Sequence, residues 1–158
     1  MRHPKLLANL LTAAILTLTL TASAQDHSPE RGIWRAQSKS AKSVTGDIAF
    51  SDIRISIDFY NFTIANIRTL TPAELAAAFD TDASTPATGT LYRLDIPSTR
   101  KFLKGSTICA GEDTQWIVTY LSGKTLQLLF FSGNDMPVLT PDALPNNPNL
   151  CGLYAYSR

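Results

Sequence analysis

The chain has 158 residues, with 14 Lys and Arg against 13 Asp and Glu, 44% hydrophobic residues, nine prolines and two cysteines. Near-neutral charge without a long basic tract gives no footing for nonspecific nucleic-acid binding. A chain of this length can bury one sizeable core without a metal, but nothing in its composition specifies an activity.

Arg2 and Lys5 precede a largely apolar run from Leu6 to Leu20, and Ala22-Ser23-Ala24 supplies the small residues that a signal peptidase requires. The pattern predicts a secretory signal over 1–24, because the run is short and threonine-interrupted for a membrane anchor. A lipoprotein would begin on cysteine, whereas the new first residue is Gln25. The expected product is a soluble periplasmic or secreted chain of 134 residues with 12 basic against 13 acidic side chains, and without a membrane span. Residues 25–31 read as a flexible polar start, and 32–158 as a single β domain.

A first strand is expected around Ile33 and Trp34. Ile48 and Phe50 alternate, and Ile53, Ile55 and Ile57 then alternate against Asp52, Arg54, Ser56 and Asp58, the period-two pattern of a sheet with one wet face. YNFTIANIRTL extends this as another strand, with Phe62, Ile64 and Ile67 as apolar positions. Thr71, Pro72 and Glu74 form an N-cap, a helix-starting proline and a capping-box acid ahead of LAAAF, which predicts one short helix. Residues 80–88 read as a loop. GTLYRLDI predicts a strand, and TQWIVTYL and TLQLLFF around Ser122-Gly123 predict a hairpin over 114–131 with apolar side chains on both faces. Four prolines between 132 and 149 exclude a long regular element. LCGLYAYS returns as a closing strand.

Seven or eight short strands with one helix favour a mainly β domain, a small closed antiparallel barrel that removes exposed edges. A two-sheet β-sandwich is the alternative. Cys109 and Cys151 are the only cysteines, and in an oxidising compartment they are expected to form one disulfide that pins the closing strand. Such a bond is worth about 4 kcal/mol in the chain-entropy account, and its spacing is not that of a C-x-x-C redox pair.

The ordered set GIW at 32–34, GDI at 46–48, GTLYRLDIP at 89–97, LKGSTICAG at 103–111, FFSG at 130–133 and LCGLYAY at 150–156 resembles a group of small, uncharacterised exported proteins of Gram-negative bacteria. The opening Gly-Ile-Trp also resembles the first strand of lipocalin and other calycin barrels. That resemblance implies a calycin-like barrel, and it supplies no catalytic residues.

Catalytic constellations are sparse. His27 is the one histidine after the signal, too isolated for a zinc site or a Ser-His-Asp triad. Ser98 and Lys101 have S-x-x-K spacing but follow a strand instead of opening a helix, and the companion motifs are missing. Asp52 and Asp58 flank Arg54, which reads as a salt-bridged outer face, and Glu112-Asp113 is the other carboxylate pair. No cofactor is called for. Arg93, Arg100, Lys101 and Lys104 form the most concentrated basic patch, suited to solubility or to contact with an anion or an acidic partner.

The leading expectation is therefore a noncatalytic exported domain that recognises a protein or envelope component through its loops, chiefly 97–106 and 132–149. Periplasmic inhibitors of lysozyme-type hydrolases are one version of it, by fold-level analogy. Trp34, Phe50, Phe62, Trp116, Tyr120 and Phe130 suggest instead an interior that carries a small apolar ligand, for which the discriminator is an apolar cavity of roughly 300 Å³ or more. A hydrolase with an acidic site spread over several strands comes last.

Overall fold

The computed structural model describes residues 27–158; the signal expected over 1–24 and the start at Gln25 lie outside the described residues. Nine antiparallel strands form one sheet: β1 (Gly32–Ala36), β2 (Ile48–Phe50), β3 (Arg54–Ile57), β4 (Tyr60–Thr63), β5 (Ala65–Thr69), β6 (Thr90–Ile96), β7 (Thr114–Ser122), β8 (Thr125–Ser132) and β9 (Leu150–Ser157). Among the described residues the one α-helix, α1 (Pro72–Phe79), lies between β5 and β6. Across the sheet the order is β4-β3-β2-β1-β9-β8-β7-β6-β5.

Mainly β with one short helix is thus correct, but the closed, calycin-like barrel is not, and the sheet is open. Its two outermost strands, β4 and β5, are one stretch of chain interrupted at Ile64. They run end to end, so they form no ladder with each other, whereas a barrel needs its first and last strands side by side. The continuous hydrogen-bonded order also rules out the alternative of two separate sheets packed as a sandwich. β9 is inserted between β1 and β8, pairing Ala36 with Tyr156 and Leu128 with Tyr154, so the C-terminal strand joins the two halves of the sheet.

One face of the sheet buries the main core. Trp34, Ile48, Phe50, Ile55, Ile57 and Phe62 from β1–β4 meet Tyr92, Ile117, Phe130 and Tyr156 from the other half. The opposite face of β6–β8 carries Leu91, Trp116, Val118, Tyr120, Leu129 and Phe131, which pack with Leu75 and Phe79 of α1 and with Leu139 and Leu144. Apolar residues on both faces of these strands therefore serve two cores. Helix α1 starts as its sequence dictates: Thr71 Oγ1 accepts from Glu74 N–H at 3.3 Å, and Glu74 Oε2 accepts from Thr71 N–H at 2.9 Å. Among the described residues no helix is long and apolar enough to cross a membrane.

Candidate functional site

The loop 97–113 after β6 and the loop 133–149 after β8 leave the same end of the sheet, since Thr114 is paired with Ser132. The Cys109–Cys151 disulfide fastens the first loop to the strand that follows the second, with Cα atoms 4.9 Å apart. Hydrogen bonds add to this staple. Ser98 N–H donates to Asp113 Oδ1 at 2.7 Å, Trp116 Nε1 to the Gly133 carbonyl at 3.1 Å, and Ser132 N–H to the Asn149 carbonyl at 2.8 Å.

Within the second loop, Met136 and Val138 are exposed while Pro137 and Leu139 are buried. The loop is thus anchored by every other side chain. Beside it is a cleft of about 280 Å³ lined by Met136, Val138, Asn146 and Asn149. A wider, polar depression of about 460 Å³ spans both loops, with Ser98, Glu112, Asp113 and Asn134 on its walls.

The expected basic patch is divided. Arg93 lies over the Trp116 ring at 4.6 Å and donates to Gln115 Oε1 and to the Asn134 carbonyl. Arg100 instead lies over the Tyr60 ring at 4.1 Å, and Tyr60 stands edge-on to the buried Phe102. Lys101 and Lys104 are exposed on the same loop as Arg100. The basic residues thus frame the loop end from two sides, and stacking on aromatic rings restrains both arginines.

The aromatic set is divided as well. Trp34, Phe50, Phe62 and Phe130 belong to the main core, where Phe50 approaches Tyr92 with ring centres 6.2 Å apart and Phe130 meets Tyr154 edge-on at 5.1 Å. Trp116 and Tyr120 point the other way, into the core under α1. These rings pack against one another within the two cores.

Asp52 and Asp58 also part company. Asp52 does not pair with Arg54; its Oδ2 is 3.1 Å from His27 Nδ1 and 3.5 Å from Arg31 Nη1, and Ser28 N–H donates to Oδ1 at 3.0 Å. The Ser28 hydrogen bond, and then that of His27, hold the Asp52 carboxyl below its ordinary range. Asp58 lies beyond the opposite end of β3. Among the described residues no three His, Cys, Asp or Glu side chains converge as metal ligands would.

Sequence reasoning missed Glu30, which is completely buried. Its Oε2 accepts from Ser28 Oγ at 2.7 Å and Tyr92 OH at 2.9 Å, its Oε1 from Thr119 Oγ1 at 2.5 Å, and its carbonyl from Trp34 Nε1 at 2.7 Å. Burial, and then the Glu30 charge, push the Tyr92 hydroxyl up to about 12. Glu30 therefore knots the chain ahead of β1 to β6 and β7. Above it Ser28, Asp52, Asn66, Thr90 and Tyr92 line a polar pocket of about 410 Å³, at the seam where the sheet stays open. No local pattern marks Glu30, because its partners Tyr92 and Thr119 are 62 and 89 residues away.

Comparison with protein-family models, with curated proteins and with solved structures returns no match. The motif resemblance to exported proteins is accordingly carried no further.

Proposed function

We propose that the chain is a noncatalytic binding domain of the periplasm or extracellular space that recognises a protein or envelope component through its loop end. The observation that carries this reading is the alternation in the second loop: Met136 and Val138 are held out to solvent while Pro137 and Leu139 anchor the backbone beneath them. Fixing a loop before binding removes part of the ordering entropy that association otherwise costs. The disulfide extends the same restraint to the neighbouring loop. Arg100, Lys101 and Lys104 at its flank favour a partner with acidic groups.

The test is photo-crosslinking in the native host, with a crosslinkable residue at Val138 and, as the comparison, at Lys124 in the turn at the opposite end of the β7–β8 hairpin. Adducts of defined mass from Val138 alone support the reading. No adduct from Val138, or the same adducts from Lys124, overturns it.

A further inference from the structure

Among the described residues no layer covers the outer face of β1–β4, and that face has an internal symmetry. Across it, Ile33, Ala49, Ser56 and Asn61 stand in one row, each opposite the next in register. Along β3, from the residue before it to the two after it, the chain reads Ile53-Arg54-Ile55-Ser56-Ile57-Asp58-Phe59. Ile55 and Ile57 point into the core. Arg54 and Asp58 share the parity of Ser56 and stand symmetrically about it with opposite charge, while Ile53 and Phe59 lie just beyond the two ends of the strand.

Two members of this set are costly in a lone chain. Phe59 is 98% exposed, and Ile53 is 60% exposed. Asp58 and Phe59 also form the two-residue turn between β3 and β4, with φ of 47° and 68°. Such turns favour Asn-Gly because both central residues need positive φ, a conformation that strains a bulky side chain. Among the described residues nothing offsets either cost for Phe59. An apolar pocket of about 410 Å³ lies beside its ring, lined by Ile33, Ala49 and Leu103, with Asp47 and Asp58 on its rim.

We infer that this face binds a second copy of the same chain. A twofold axis along the row from Ile33 to Asn61 sets β3 antiparallel to β3 of the second copy. Each Arg54 then meets the second copy's Asp58, Phe59 stands at the edge of the paired faces beside the apolar pocket, and Ile33, 72% exposed, meets its own counterpart. Within one chain Arg54 and Asp58 are about 13 Å apart along the strand, too far to pair. Neither forms an ion pair among the described residues. Asp47 is engaged within each copy, where its Oδ1 accepts from Ala36 N–H at 2.9 Å. The small Ala49 and Ser56 let the two sheets approach to the roughly 10 Å of face-to-face packing.

The test is sedimentation equilibrium of the purified protein over a concentration series into the high micromolar range. The wild type is expected to dimerise. Arg54→Asp makes the strand acidic at both ends and Asp58→Lys makes it basic at both ends, and each alone is expected to weaken self-association by more than about tenfold. Mixed in equal amounts, the two variants are expected to associate again, because every facing pair is then of opposite charge. Phe59→Gly relieves the turn, keeps the fold and weakens the dimer, so it tests the face without risk of unfolding. A wild type that stays monomeric overturns the inference, and so does an Arg54→Asp variant or a folded Phe59→Gly variant that dimerises like the wild type, or a mixture that does not associate.

Discussion

Over β6, β7 and β8 the outer face of the sheet carries Leu91, Trp116, Val118, Tyr120, Leu129 and Phe131 beneath α1 and the loop that holds Leu139 and Leu144. Over β1–β4 the same face carries Ile33, Ala49, Ser56 and Asn61, and no layer of the described chain lies on it. The strand sequences encode the difference. Phe130-Phe131 and Trp116-Ile117-Val118 are apolar at successive positions and so need cover on both faces, whereas Arg54-Ile55-Ser56-Ile57 alternates and needs it on one. One sheet thus contains a doubly buried half that fixes the loop end and a singly buried half that remains available to a partner.

Truncation tests this contrast most severely. Phe131→Ala removes a side chain that is 1% exposed and is expected to cost about 3–5 kcal/mol in urea unfolding. Ile33→Ala, measured in dilute protein, is expected to cost no more than about 0.5 kcal/mol. Equal losses would mean that the face of β1–β4 is not bare. Glu30 bears on the connection between the halves, since it ties the segment leading into β1 to Tyr92 of β6 and Thr119 of β7. Glu30→Ala removes the acceptor shared by the Ser28, Tyr92 and Thr119 hydroxyls, leaving Thr119 the Thr90 carbonyl at 3.3 Å and Ser28 and Tyr92 each other at 2.9 Å, and is expected to lower stability by about 1–3 kcal/mol. A loss within the scatter of surface substitutions would show that the buried carboxylate is dispensable.

Local patterns were legible and lateral ones were not. The alternation of Ile55 and Ile57 against Arg54 and Ser56 and the Thr71-Pro72-Glu74 start of α1 are settled within a few residues of chain, and both are found, whereas Ile53 lies before β3 and is exposed. Closure depends instead on how 60–69 is used. Phe62 and Ile64 share a parity that Ile67 breaks, and the pairing of β5 with β6 shifts register between Asn66 and Arg68. That phase break was the available sign that the stretch is not one regular strand. Trp116 and Tyr120 belong to the core under α1 while Trp34 and Phe130 belong to the other, a division that parity does not reveal because β7 is apolar on both sides. The burial of Glu30 rests on Tyr92 and Thr119, 62 and 89 residues away, and no local pattern reports that. Arg93 and Arg100 cluster in sequence, but the rings that hold them, Trp116 and Tyr60, are on different strands.

The smallest expected effect concerns the cover itself. Arg68 on β5 donates to both oxygens of Glu74 on α1, at 2.6 and 2.8 Å, while Glu74 also caps the helix start at Thr71. The Arg68 hydrogen bonds, foremost, lower the Glu74 carboxyl to about 2. Because the folded value lies below the unfolded one, near 4.5, the carboxylate's contribution is complete above about pH 4.5 and is lost as the pH falls through about 2. The pair is partly exposed, so salt and water reduce its worth. Amide exchange in α1 is therefore expected to accelerate relative to β1–β4 as the pH falls through that window, once the intrinsic pH dependence of exchange is removed. Glu74→Gln is expected to make α1 less protected at neutral pH and to abolish its additional loss in acid. If α1 and β1–β4 instead lose protection together in the wild type, the helix does not open on its own, and the covered half of the sheet unfolds only with the whole domain.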